Sequence, residues 1–177
     1  MPAIEEITET LVRTHMSRAL MDVFKTMISK EVQADLSVDP TEADAFSPHS
    51  NTRKFTVPQV VGSVGFIGDV NGLVYLHLDQ PFANLCTGHI LGMSDAETQA
   101  VDDESVNDAI GELTNMVVGG FKNALCEAGY PCKLTIPSIL RGNDFRVEPT
   151  SSARRHAYRF HCAGHQLMTD IVVKLGE

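Results

Sequence analysis

A long amphipathic segment over residues 103–128 sets the strongest limit on how this chain can fold. Apolar side chains recur there at the period of an α-helix: Val106, Ile110, Leu113, Val117, Phe121, Ala124 and Ala128. This pattern predicts one long helix that buries the stripe against a neighbouring element. Glu112 and Asn115 lie off the stripe and three residues apart, so their Cβ atoms should be about 5–6 Å apart on the outward face. Asp108, Met116, Gly119, Lys122 and Asn123 share that face.

Three glycines lie inside this predicted helix: Gly111, Gly119 and Gly120. Each should destabilise the helix by roughly 0.8–1 kcal/mol relative to alanine, so their presence needs a physical reason. Close packing against a neighbouring element is one explanation. The other is that Gly119, one turn beyond Asn115, leaves room for the backbone of a partner.

The run Glu-Leu-Thr-Asn-Met-Val-Val-Gly-Gly-Phe-Lys over residues 112–122 resembles the Glu-x-x-Asn signature helix of the CheC, CheX and FliY phosphatases. The preceding residues 103–112, a predicted hairpin over 59–79 and the run over 81–93 also resemble that family. The resemblance implies hydrolysis of the phosphoaspartate on a CheY-like receiver domain. By the same resemblance, Asn115 orients the attacking water and Glu112 engages a lysine of the receiver.

The resemblance also implies where the cofactor and the partner chain come from. A phosphoaspartate is an already activated acyl phosphate, so hydrolysis mainly needs a positioned water and charge stabilisation. The magnesium ion would belong to the receiver, and this chain would need no cofactor of its own. The pair Phe24-Lys25 in the first predicted helix matches Phe121-Lys122. Aligned in this way, His15 and Arg18 stand at the positions of Glu112 and Asn115, where CheC-type members carry a second Glu-x-x-Asn motif. That difference favours the CheX type, which implies a homodimer formed through sheet contacts.

Length and charge limit the remaining classes of function. At 177 residues, the chain fits one domain over 1–177 with a substantial core. Its net charge of −9 argues against nucleic acid or an anionic membrane as the partner. It has neither an apolar run long enough for a membrane span nor an N-terminal targeting signal, so we expect a cytoplasmic protein.

Local patterns predict an α+β fold, a mostly antiparallel sheet with long helices packed on one face. Besides the helix over 103–128, the patterns predict helices over 5–29 and 81–93, and strands over 31–38, the hairpin 59–79, 132–140, 145–149, 156–162 and 167–174. Turns are expected at Asn71-Gly72, 141–144 and 163–165, and a flexible loop or insert over 39–53.

Two other classes of function stay open on the sequence. The chain could be a non-catalytic module that docks to a receiver or belongs to a flagellar switch assembly, because sequence does not separate docking from catalysis. It could also be a metal- or small-molecule-responsive sensor built on the histidines and cysteine of 156–165. Strand alternation argues against a metal there, since it sends His161 and Cys162 to opposite faces.

The remaining histidine and cysteine residues favour structural roles. His77 lies in a strand pattern and is interpreted as a hydrogen-bonded strand histidine. The four cysteines have no Cys-x-x-Cys spacing, which in a cytosolic chain indicates reduced, packed thiols: Cys86, Cys126, Cys132 and Cys162.

Overall fold

The computed structural model describes residues 7–35, 53–145 and 147–176. In chain order, its elements are α1 (Glu9–Met27), β1 (Val32–Ala34), β2 (Arg53–Gly68), β3 (Val70–Asp79), α2 (Gln80–Ile90), α3 (Asp103–Glu127), β4 (Cys132–Leu134), β5 (Ser138–Phe145), β6 (Arg154–Cys162) and β7 (His165–Leu175), with a short 3-10 turn at Thr98–Ala100 before α3. The predicted α+β class is confirmed. None of these helices combines the length and apolarity needed to cross a membrane.

All the strands join one antiparallel sheet in the order β1-β6-β7-β3-β2, with β4 and β5 both on the outer side of β2. The long strand β2 pairs with β3 on one side along residues 59–66. On its other side β2 pairs with β5 near its start and middle, and with β4 at its end. β2 therefore connects the centre of the sheet to the two strands at this edge, β4 and β5.

The core fills the space between one face of this sheet and the helices. Alternate side chains of the central strands are fully buried there, and the helices meet them with their apolar stripes: Val64, Phe66, Leu76, Leu78 and Ile171 from the sheet, and Met16, Phe24, Val106, Ile110 and Phe121 from the helices. Burying each such side chain contributes about 1.5–3 kcal/mol. The Phe66 and Phe121 rings meet edge to face with centroids 6.0 Å apart, which joins α3 directly to β2.

Two glycines let α3 lie close to its neighbours. A Cβ atom added to Gly62 of β2 would overlap the Thr114 hydroxyl of α3, so the helix rests on bare strand backbone there. A Cβ on Gly120 would lie 3.1 Å from the Cβ of Ala19 in α1. These contacts fix both the height of α3 above the sheet and its crossing with α1.

The predicted elements were wrong around β5. Residues 141–144, expected to form a turn, lie within β5 and continue its pairing with β2, where Arg141 faces Val60 and Gly142 faces Gln59. The strand expected over 145–149 is absent from the described residues 147–149, which have no regular structure. The turn-forming residues here take strand geometry because β2 supplies hydrogen-bond partners, and this tertiary effect outweighs local preference.

The turn predicted at Asn71-Gly72 was also wrong, because both residues lie in β3. The chain reverses between Gly68 and Val70, and the Asn71 side chain accepts a hydrogen bond of 3.1 Å from the amide of Gly68. Gly72 is opposite Phe66, and an added Cβ would overlap that ring. Glycine is therefore needed at position 72 for the close approach of the Phe66 ring, not for a turn.

The ends of several other predictions also changed. The predicted strand over 132–140 divides into β4 and β5 at residues 135–137, and α1 begins at Glu9, after the cap residue Thr8. In the predicted extended segment 31–38, Val32–Ala34 forms β1, and 36–38 lie outside the described residues. The loop expected over 39–53 also lies outside them, apart from Arg53, which begins β2.

Candidate functional site

The helix that carries Glu112 and Asn115 begins at a well-formed N-terminal cap. The Asp102 carboxylate accepts hydrogen bonds from the Ser105 amide at 2.8 Å and from the Ser105 hydroxyl at 2.9 Å. These two bonds favour the ionised form and lower the pKa of Asp102. The acidic residues Asp103 and Glu104 in the first turn also suit the positive end of the helix dipole.

Arg141 of β5 joins the first two turns of α3 to the rest of the domain. Its guanidinium donates to the side chain of Asn107 at 2.7 Å, to the carbonyl of Asp103 at 3.3 Å and to the side chain of Gln80 at 2.8 Å. One side chain thus links β5, α2 and α3. This link lies one turn before Gly111, so it helps to hold the helix in place where the candidate site begins.

The buried stripe of α3 is confirmed over most of its length. Five of its seven predicted members are buried: Val106, Ile110, Leu113, Val117 and Phe121. Ala124 is half-buried and Ala128 is exposed, so the prediction was wrong at the end of the helix. The helix ends at Glu127, and Gly129 follows in the left-handed conformation with φ +97°, which terminates the helix.

Glu112 and Asn115 lie on the outward side of α3, as predicted. Glu112 is exposed and Asn115 is half-buried. Within the described part of the chain, neither side chain has a hydrogen-bond or ion-pair partner. Asp108 and Asn123 on the same face are also exposed. A carboxylate and a carboxamide are therefore displayed one turn apart on a firmly packed helix, with their polar atoms available to a partner.

The glycines of α3 separate into two groups. Packing against Ala19 explains Gly120. A Cβ on Gly119 would lie 3.8 Å from Cδ1 of Leu134, and one on Gly111 would lie 4.0 Å from Cβ of Pro137, which are ordinary van der Waals separations. Alanine would fit at both positions, so packing within the domain does not explain why they are glycine.

The segment between β4 and β5 runs beside this part of α3. Its residue Ile136 is 88% exposed, a far larger fraction than for any other large apolar side chain in the described chain. The neighbouring Leu134 and Pro137 lie beside Gly119 and Gly111 of α3, one turn on either side of Asn115. Sequence reasoning missed Ile136, because its pattern fits a continuous strand over 132–140.

The histidines and the cysteine of 156–165 do not come together. His161 lies 3.2 Å from the Asp35 carboxylate, whereas Cys162 is buried on the helix-facing side, as alternation predicts. His165 lies 3.1 Å from the Asp79 carboxylate. Over the ranges that the structure describes, no group of three or more His, Cys, Asp or Glu side chains could hold a metal ion. All four cysteines are free, and three are buried: Cys86, Cys132 and Cys162.

His156 gives a pH-dependent prediction. Its ring is buried, and Nε2 has no hydrogen-bond partner among the described residues, so burial lowers its pKa below the ordinary value near 6.5. When the pH decreases through 6.5 and below, the unfolded chain therefore binds more protons than the folded chain. The free energy of unfolding should then decrease as the pH is lowered. Urea unfolding at pH 7.5 and 5.5 should show this loss, and His156→Gln should show less of it. Equal pH dependence in both proteins would contradict the assignment.

A cluster of buried polar side chains lies on the sheet face away from the helices. His77 is 2% exposed and its Nε2 lies 3.0 Å from the carboxylate of Asp170, which also accepts a 2.7 Å hydrogen bond from Arg155 Nε. The placement of His77 in a strand is confirmed, and its ring lies beside a carboxylate. Burial and then the nearby Asp170 charge raise the pKa of Tyr75. The sequence did not indicate this cluster, because its members come from three separate strands.

Comparison with known families gives a match over residues 60–161 to the family described as "Chemotaxis phosphatase CheX". This match covers more than half of the chain and includes the whole of α3. The chain belongs to the CheX family. The resemblance seen in the sequence is thereby confirmed. Comparison with curated proteins gives no match.

Solved structures share the fold of this CheX-family chain at low sequence identity. CheX from Vibrio vulnificus superposes with a TM-score of 0.72 at 22% identity, covering 94% of this chain and 99% of that one. The CheX-CheY-BeF3-Mg complex from Borrelia burgdorferi gives a TM-score of 0.61 at 18% identity, covering 92% and 97%. The FliM middle domain from H. pylori gives 0.58 at 13% identity, covering 97% and 92%.

Proposed function

We propose that this CheX-family chain is a phosphatase that hydrolyses the phosphoaspartate of a CheY-like receiver domain. The observation that carries the proposal is the pair Glu112 and Asn115, displayed together on α3 with no partner among the described residues. The family description names a chemotaxis phosphatase, and the Borrelia relative was crystallised with CheY. Both support a receiver as the substrate.

In the proposed reaction, Asn115 positions the attacking water. Its carboxamide oxygen can accept a hydrogen bond from the water, and its amide N–H can donate to a phosphoryl oxygen. The water oxygen attacks phosphorus, the P–O bond to the aspartyl carboxylate breaks, and that carboxylate leaves with the bonding electrons. Inorganic phosphate forms, and the proton of the water passes to phosphate or solvent. The receiver supplies the acyl phosphate and the magnesium ion, so the chain contributes no cofactor.

Glu112 has a different role in this proposal, because it anchors the receiver. An exposed carboxylate one turn from Asn115 can form a charge-assisted hydrogen bond with a lysine of the partner. That bond would set the register at which the carboxamide enters the receiver. Gly119, where alanine would fit within the domain, leaves the helix backbone uncovered for the partner on the other side of Asn115.

Glu112→Ala should lower kcat/KM for receiver dephosphorylation by about tenfold or more, through weaker docking and poorer alignment of the water. Asp108→Ala is the matched control, because Asp108 is an exposed acid one turn earlier on the same helix. It should change kcat/KM by less than about twofold. Equal losses in the two variants would indicate a general charge effect and contradict the anchoring role.

A non-catalytic docking or flagellar-switch-related module is the second candidate, favoured by the fold shared with the FliM middle domain. The two candidates differ in turnover. A phosphatase present at one part in a hundred should release many equivalents of phosphate and shorten the lifetime of all the phosphorylated receiver. A docking module should release none beyond the spontaneous rate. Failure to accelerate decay with any receiver from the same organism would overturn the phosphatase proposal.

The assembly and location of the protein are further parts of the proposal. We infer a homodimer formed through sheet contacts and a cytoplasmic protein, both from family membership. Exposed apolar side chains on the sheet face away from the helices are compatible with an interface there, namely Ile67, Leu73 and Leu140. Light scattering of the purified protein measures the assembly directly, and a monomer at all concentrations would contradict it.

A further inference from the structure

We infer that Ile136 is an apolar docking contact for the phosphorylated receiver, placed beside Asn115 by a one-residue shift in the sheet. This inference rests on the proposed function for the identity of the partner. Ile136 lies outside the Glu-x-x-Asn helix, and its position follows from how β4 and β5 pair with β2.

The shift is visible in the strand pairing. Phe66 pairs with Leu134, and Ser63 pairs with Ser138. On β2, Ser63 and Phe66 are three residues apart. On the opposite side, their partners Ser138 and Leu134 are four residues apart. One extra residue is therefore accommodated at 135–137. Such irregularities in a strand ladder commonly redirect a side chain out of the sheet.

The flanking residues hold this segment in place. The Thr135 amide donates to the Gly65 carbonyl at 2.8 Å, and the Gly65 amide donates back to the Thr135 hydroxyl at 2.9 Å. On the other side, Pro137 restricts the backbone of Ile136 to extended conformations. Ser138 then resumes the pairing with β2. Ile136 is thus a large apolar side chain fixed in an exposed position, rather than one at the tip of a long loop.

The position of the segment points to the receiver as its partner. Leu134 lies beside Gly119 and Pro137 lies beside Gly111, on either side of Asn115. Ile136 therefore belongs to the surface that a receiver must approach to place its acyl phosphate at the carboxamide. Protein interfaces combine a few apolar anchors with polar groups that fix register. Glu112 and Asn115 supply polar groups, and Ile136 supplies the apolar side chain.

The test is the affinity of the full-length protein for a CheY-type receiver activated with beryllofluoride and magnesium, measured together with single-turnover decay of the phosphorylated receiver. Ile136→Ser should raise Kd by about tenfold to thirtyfold, while the rate constant at saturating protein stays within about twofold of wild type. Ile136→Leu should bind like wild type. Leu91→Ser is the matched control, because Leu91 is 53% exposed but lies at the C-terminal end of α2, outside α3 and the segment between β4 and β5.

The outcomes separate this inference from the proposed function. Unchanged Kd for Ile136→Ser, or an equal increase for Leu91→Ser, overturns the inference. A wild-type protein that binds the receiver without accelerating decay ends the phosphatase proposal, but the inference survives if Ile136→Ser still weakens binding. A wild-type protein that binds no receiver of its organism overturns both. Thermal unfolding of Ile136→Ser should match wild type, since the side chain is almost fully exposed.

Discussion

Asn115→Ala should reduce receiver dephosphorylation by about a hundredfold or more and leave the domain folded. Removal of a single positioned hydrogen-bonding group from a reaction centre typically costs this much, because the group acts only on the reacting arrangement. The half-buried Asn115 has no hydrogen-bond partner among the described residues, so its loss should change the free energy of unfolding little. Phosphate release and thermal unfolding together measure both effects.

Two further variants test whether the carboxamide itself matters. Asn115→Asp keeps the shape but replaces the N–H donor with a negative charge facing the phosphoryl oxygens, so it should be at least as inactive as Asn115→Ala. Asn123→Ala removes the same type of side chain from the same face, two turns later, and should retain activity within about twofold. A similar loss in Asn123→Ala would show that the effect is not specific to the site.

Asp170→Ala should produce the largest loss of stability, about 3–5 kcal/mol in the free energy of unfolding. Asp170 is 1% exposed, and it is the carboxylate that accepts from Arg155, whose side chain is 7% exposed. Removing it takes away the carboxylate that pairs with this buried guanidinium, which costs more than the ion pair contributes. For a domain of this size, the melting temperature should fall by about 10 °C.

A double variant distinguishes an unpaired charge from a simple packing defect. Asp170→Leu with Arg155→Met removes both charges and keeps apolar volume, so it should recover much of the stability lost in Asp170→Ala. Asp108→Ala, which removes an exposed acid, should have an effect within about 0.5 kcal/mol. A double variant less stable than Asp170→Ala would mean that the cluster contributes through its hydrogen-bond geometry instead.

The local features of the site were predictable because α3 is a continuous periodic helix. Its buried stripe and the outward placement of Glu112 and Asn115 follow from the 3.6-residue period, which depends only on neighbours in sequence. The end of the helix was less predictable. Ala128 continues the apolar pattern in the sequence. In the structure the helix already ends at Glu127, because the following Gly129 takes a left-handed conformation.

The features of the sheet that the sequence did not predict depend on pairing between distant strands. The prediction for Asn71-Gly72 followed local turn chemistry, whereas the hairpin reverses earlier because the end of β2 also pairs with β4. The exposure of Ile136 depends on a shift relative to residues about 70 positions earlier in the chain. Neither pairing leaves a periodic signal in one sequence.

The water-positioning role of Asn115 is tested by single-turnover decay of a phosphorylated CheY-type receiver at saturating protein, with binding measured in the same samples. We expect wild type to accelerate decay, and Asn115→Ala to bind the receiver with comparable affinity but return decay to near its spontaneous rate. Equal acceleration by the two proteins would contradict the assignment of the water-positioning role to Asn115.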